Sequence, residues 1–150
     1  MKKYLLFFLL LSGCTFLNAQ KHIEGLWEGR ITDGGIYSED GYKFELLIQL
    51  EGSKIVGRSY VYLPEGKVIE MDIKGYLYQD RSIYLQEIEF IPAVGVELLP
   101  PFNRKYQMIY TRSIWESKLE GFWQEVIVSP FDDKRERGRI LLTKKPPSKA

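Results

Sequence analysis

From Ile23 onward, apolar and polar residues alternate in short runs separated by Gly, Pro, Asp and Ser. A period of two sends successive side chains to opposite faces, the pattern of a half-buried strand. No window of eleven or more residues keeps apolar positions at helical spacing between capping residues. The pattern predicts eight strands: Ile23–Asp33, Tyr42–Leu50, Lys54–Leu63, Lys67–Tyr78, Arg81–Ile91, Lys105–Arg112, Trp115–Ser129 and Gly138–Lys144. Tyr42, Phe44, Leu46, Ile48 and Leu50 share one face of the second strand. Ile69, Met71, Ile73 and Leu77 share a face of the fourth, and Tyr106, Met108 and Tyr110 a face of the sixth.

From the second strand to the fifth every connection has hairpin length. Parallel neighbours need crossovers of a dozen residues or more, so this run is an antiparallel meander. The expected fold is all-β: one eight-stranded, antiparallel, up-and-down barrel, closed so that no edge is left free. A two-sheet β-sandwich is the alternative. It needs longer crossovers, and only Ile91 to Arg104 offers one.

The start of the chain changes the compartment. Met1-Lys2-Lys3 is followed by the apolar run Tyr4–Leu11, far short of the ~20 residues that span a bilayer. It reads as an export signal over residues 1–19, with a barrel over 20–144 and a disordered tail over 145–150. Two processing routes stay open. Cleavage after Ala19 starts the chain at Gln20. Leu11-Ser12-Gly13-Cys14 instead resembles a bacterial lipobox, in which Cys14 is lipidated. Both place the protein outside the cytoplasm, periplasmic or secreted in the first case and membrane-anchored as a lipoprotein in the second.

Composition excludes several functions. Without Lys2 and Lys3, 19 Lys and Arg face 20 Asp and Glu, so no basic excess exists to hold nucleic acid. Cys14 is the only cysteine and His22 the only histidine. Neither a disulfide, a thiolate metal site nor a Ser-His-Asp device is expected, and no cofactor or metal.

Two segments echo each other, Ile23-Glu24-Gly25-Leu26-Trp27-Glu28 and Leu119-Glu120-Gly121-Phe122-Trp123-Gln124. Gly lets a neighbouring strand or ring sit close, and a Trp two residues on shares its face. The two indoles either plug barrel corners or wall a ligand. Gly25-Leu26-Trp27 resembles the Gly-x-Trp motif of lipocalins and the wider calycin group. That resemblance implies an eight-stranded barrel holding small apolar molecules, with an Arg near the last strand, Arg137 or Arg139, stacked on Trp27. The chain departs from those proteins in lacking a Thr-Asp-Tyr signature, a helix after the last strand and a disulfide.

Carboxylate pairs are the remaining catalytic option. Glu87 and Glu89 lie two apart on the fifth strand, hence on one face unless a bulge switches it. Arg112 and Glu125 have parities that also allow the interior. These groups form either a solvated exterior, a buried network that orients a ligand, or the acid–base pair of a hydrolase; no catalytic residue is assigned. Glu70 and Asp72 oppose the apolar face of the fourth strand and read as solvated. Pro92–Pro101 is apolar for a loop and reads as a flap over one barrel end, a portal lid or a patch for a partner. Lys134 to Arg139 read as a solvated basic tip.

The expected function is a non-catalytic, exported binding or accessory protein of the bacterial envelope, a monomer holding a small apolar ligand inside the barrel. Trp27, Phe44, Tyr106, Tyr110, Trp123, Glu87 and Arg112 are the expected ligand contacts. The alternative is a solid barrel filled by its own side chains, acting through its surface on an envelope partner protein. In either case the membrane is reached only through a lipid anchor.

Overall fold

Eight strands carry the chain in the computed structural model, which describes residues 22–90, 103–126 and 135–146. They are β1 (Gly25–Thr32), β2 (Gly41–Glu51), β3 (Lys54–Tyr62), β4 (Val68–Leu77), β5 (Ser82–Phe90), β6 (Arg104–Arg112), β7 (Ser117–Glu125) and β8 (Arg137–Lys144). Each pairs antiparallel with the next, and β1 pairs with β8 from Trp27↔Lys144 to Ile31↔Ile140, so the sheet closes into a barrel. Closure removes both edges, as the hairpin-length connections require. The leader with Cys14, the Pro92–Pro101 loop and residues 147–150 lie outside the described residues.

Most strand limits differ from the periodicity by one or two residues. β7 begins at Ser117 rather than Trp115, because Ser113 to Glu116 form the turn itself, closed by Ser113 N donating to Glu116 O at 3.1 Å, and residues 127–129 lie outside the described residues. β6 begins one residue early, at Arg104, and β8 at Arg137. Odd strands all run the same way, which gives the barrel two distinct ends. The terminal end carries His22, the close of β8 and the β2–β3, β4–β5 and β6–β7 hairpins. The loop end carries the β1–β2 and β3–β4 connections.

The predicted inward faces are the core. Trp27, Phe44, Leu46, Ile48, Ile55, Met71, Leu85, Tyr106, Leu119 and Ile140 have no accessible surface. A cavity wide enough for water leaves accessible area on its walls, so none borders these side chains. Trp27 meets Tyr110 edge-on at 5.9 Å between ring centroids, and Phe44 lies 5.9 Å from Tyr106. Such aromatic pairs add about 0.5–1.5 kcal/mol beyond area burial. Outside, Arg58 binds Glu70 at 2.6 Å and Asp72 at 2.9 Å. Both acids therefore sit on the outer face.

The two indoles of the sequence echo close opposite ends. Trp27 Nε1 donates to Ile23 O at 2.8 Å, folding the chain entry under the terminal end. Trp123 Nε1 donates to Thr32 O at 2.8 Å, holding the last residue of β1 at the loop end. Their glycines do different work. Gly25 has φ +118°, a left-handed turn into β1, whereas a Cβ on Gly121 would lie 2.0 Å from Gln107 O on the backbone of β6. Gly121→Ala is therefore expected to destabilise by about 1–3 kcal/mol through forced strand separation, and Gly25→Ala by a similar amount through strain alone. Urea unfolding measures both; an unchanged midpoint for Gly121→Ala would contradict the close β6–β7 approach.

Candidate functional site

Among the described residues the barrel interior holds one buried charged group of each sign. Glu87 is fully buried and Arg104 is 7% exposed. Their positions follow from an irregularity in the sheet. Asp72 pairs with Glu89 and Ile73 with Glu87, so β5 carries one extra residue, Ile88, at a bulge. The bulge interrupts the strict two-residue alternation along β5 beyond Glu87. On its other side the β5–β6 ladder covers only Ser82↔Ile109 to Gln86↔Lys105.

Where that ladder stops, the side chain of Glu87 continues it. Glu87 Oε2 accepts from the Arg104 backbone amide at 2.7 Å. Arg104 Nε lies 3.3 Å from both carboxylate oxygens. Oε1 also accepts from the Tyr106 hydroxyl and from Ser59 Oγ, the latter at 3.2 Å. The carboxylate thus gathers donors from β3 and β6 onto β5. Buried ions need such saturation, since each one's desolvation penalty amounts to several kcal/mol.

Electrostatics follow the geometry. Burial opposes charge on Arg104, but the attraction of Tyr106 and Glu87 outweighs it, and the guanidinium pKa is raised. Burial first, and then the neighbouring Glu87 charge, push the Tyr106 phenol well above its ordinary value. The guanidinium carbon lies 5.8 Å from the centroid of the Trp123 ring. Arg104 Nη2 and the Tyr110 hydroxyl are buried and find no hydrogen-bond partner among the described residues. Chemically the cluster is a clasp closed around Glu87, whose carboxylate is fully buried and accepts from Arg104, Tyr106 and Ser59.

Of the expected contacts, Trp27, Phe44, Tyr106, Tyr110, Trp123 and Glu87 all lie inside the barrel. Arg112 does not. It shares the inward parity of β6 but ends the strand at the terminal rim, opposite Ser117, and is exposed. Its role in the cluster belongs to Arg104, three inward positions before Tyr110. That parity with Tyr106, Met108 and Tyr110 was the available signal, hidden because periodicity starts the strand at Lys105. Glu125 is half-buried opposite Arg104 and accepts from Glu136 N at 3.2 Å. Trp27 is not stacked by an arginine: Arg139 pairs with Phe122 on the outer face. Lys144, the β8 partner of Trp27, places its ammonium 5.8 Å from a Trp27 ring centroid and is lowered in pKa by burial.

A second feature lies outside the barrel. Outward residues of β5–β8 line a groove of about 610 Å³. Tyr84, Ile109, Phe122 and Leu141 give it an apolar floor, with Tyr78 at one end. Ile109 is 60% and Phe122 53% exposed. Glu120 and Arg139 also line it, and neither makes an ion pair among the described residues. Arg139 is held from behind, with its Nη2 donating to Ser38 O at 3.2 Å, while its Nε is buried without a partner. Among the described residues no group of three or more His, Cys, Asp or Glu side chains is gathered to hold a metal ion.

Two predictions test the clasp. Glu87→Leu strands a buried guanidinium and is expected to destabilise by about 3–5 kcal/mol, whereas Glu87→Leu with Arg104→Met regains the part due to the guanidinium, the Arg104 amide and Tyr106 hydroxyl still lacking their acceptor. Arg112→Met should change stability by no more than about 0.5 kcal/mol. A denaturation-measured cycle without this recovery would break the pairing. The second prediction concerns alkali. The Tyr106 phenol is raised well above its ordinary value, and Tyr62, through burial and donation to Glu45 at 2.7 Å, is raised to about 12. Unfolded tyrosine loses its proton near pH 10. Stability is therefore complete below about pH 10 and falls as pH rises, at about 1.4 kcal/mol per pH unit for Tyr106. Tyr106→Phe should flatten the slope of unfolding free energy against pH by about one proton.

No protein-family model matches the chain, and neither curated proteins nor solved structures provide a significant match. The barrel, its buried Glu87–Arg104 cluster and its outer groove are what bear on function.

Proposed function

We propose that this protein is an exported, non-catalytic accessory barrel of the bacterial envelope that acts through its outer surface on a partner protein. The carrying observation is a contrast. The inward aromatic residues have no accessible area or nearly none, while Ile109, Phe122 and Leu141 are exposed on three neighbouring strands around Glu120, which pairs with both Ile109 and Leu141. Barrels of eight strands are narrow enough for side chains to fill. A contiguous apolar patch on the outside marks a place where another surface is covered. Glu120 and Arg139 at this groove supply directional contacts of both signs for a protein partner, and desolvation on docking strengthens them. Export is supported by Met1-Lys2-Lys3 and Tyr4–Leu11, with processing after Ala19 or acylation of Cys14.

A second reading, a small apolar ligand inside the barrel, draws on the unpartnered Arg104 Nη2 and Tyr110 hydroxyl. A ligand acceptor beside either one would satisfy a buried donor. It requires the core to open, since the surrounding side chains have no free surface.

One experiment separates the two readings. A photo-crosslinking residue replaces Phe122 or Ile109 in producing cells, with a control at Arg58 on the opposite outer face. The expected result is one adduct of discrete mass from the groove positions alone, whose identified protein binds the purified barrel and loses binding with Leu141→Glu at unchanged Tm. Native mass spectrometry of the same preparation should give the bare polypeptide. A stoichiometric apolar molecule, together with no groove adduct, would sink the surface reading in favour of the lumen.

A further inference from the structure

We infer that the terminal end of the barrel rests on a lipid bilayer, with Ile114 and Trp115 at the β6–β7 turn entering its interfacial layer. This rests on the export reading above and adds the surface that the barrel faces. Ile114 is 90% and Trp115 89% exposed, at a turn where small polar residues would reverse the chain equally well. The turn is built, not trailing. Ser113 N donates to Glu116 O at 3.1 Å, and Trp115 N donates to Ser113 Oγ at 3.3 Å. Both large side chains are therefore presented outward on a hydrogen-bonded loop.

The chemistry of the tip selects lipid. Indole combines an apolar body with an N–H donor, which suits the boundary between headgroups and acyl chains. Arg112 and Lys118 flank the tip, and Lys118 holds Glu116 at 3.3 Å. Arg81 lies beside it, its carbonyl accepting from Tyr110 N at 3.0 Å. These cations are placed to meet anionic headgroups.

Location is the second, independent argument. The tip shares its barrel end with His22, where the described chain begins. His22 stands eight positions after Cys14 in the sequence, a reach of at most about 29 Å. An acyl chain on Cys14 would hold this end, and not the loop end, near the bilayer. One acyl chain anchors only marginally, and a second signal makes the attachment stable. Ile114 and Trp115 supply such a signal on the folded domain itself.

The three tryptophans make the test local, because Trp27 and Trp123 are buried and Trp115 is exposed. Protein purified as its cells process it is mixed with phosphatidylethanolamine–phosphatidylglycerol vesicles whose acyl chains carry bromine. The expected result is a blue shift and quenching of emission that Trp115→Phe removes. Ile114→Ser with Trp115→Ser should lower the vesicle partition coefficient about tenfold, the scale of losing buried apolar side chains. Both variants lie at an exposed turn, and urea unfolding should show an unchanged midpoint. Quenching in a chain whose intact mass begins at Gln20 supports the tip acting alone. Vesicle-bound protein with unquenched, unshifted Trp115 overturns the inference and leaves export standing. A response of Trp115 to other proteins of the envelope but not to vesicles overturns it in favour of a protein contact. Retention of the chain in the cytoplasm, read by protease accessibility, overturns the export reading itself.

Discussion

A single carboxylate inside the barrel reconciles an interrupted sheet with a closed one. β5 and β6 share a short ladder because the bulge at Ile88 shifts the register above it. Left alone, the Arg104 amide would be an unpaired donor in an apolar interior, a penalty of about 1–3 kcal/mol. Glu87 takes that amide, and then the guanidinium, the Tyr106 hydroxyl and Ser59 Oγ. The cluster replaces missing backbone bonds with charge-assisted ones, which are the stronger kind. It also explains why a charged pair persists in a core otherwise made of aliphatic and aromatic side chains.

Around that clasp the two tryptophans set the length of the closed body. Trp27 bonds the carbonyl two residues before β1, and Trp123 bonds the carbonyl of the last residue of β1. One strand is thus gripped at both ends by indoles from β1 itself and from β7. The described inward side chains between them pack as the core, while an apolar groove on β5–β8 and the Ile114–Trp115 turn stay on the outside.

The fold was legible in the sequence because its cause is local. Alternation along each strand and hairpin-length connections admit few topologies, and an antiparallel meander of eight strands has an economical closure. The inward positions of Trp27, Phe44, Tyr106, Tyr110 and Trp123 follow from the same parity. So does the outward placement of Glu70 and Asp72, which meet Arg58 there.

The polar site was legible only in part. Glu87 was a candidate on parity, but its burial depends on where β5 bulges, and no local pattern marks Ile88 as the extra residue. Arg104 and Arg112 have the same parity on β6. One lies within the barrel and the other at its rim because register with β5 and β7, not residue type, decides where the strand ends. Ser59 is an ordinary strand serine until β5 passes beside it. The sequence by itself determined the strands and their inward faces, since these rest on neighbours in the chain. Which charges meet, which indole closes which end and which apolar residues stay outside were decided by tertiary structure, because each depends on contacts between strands far apart in sequence.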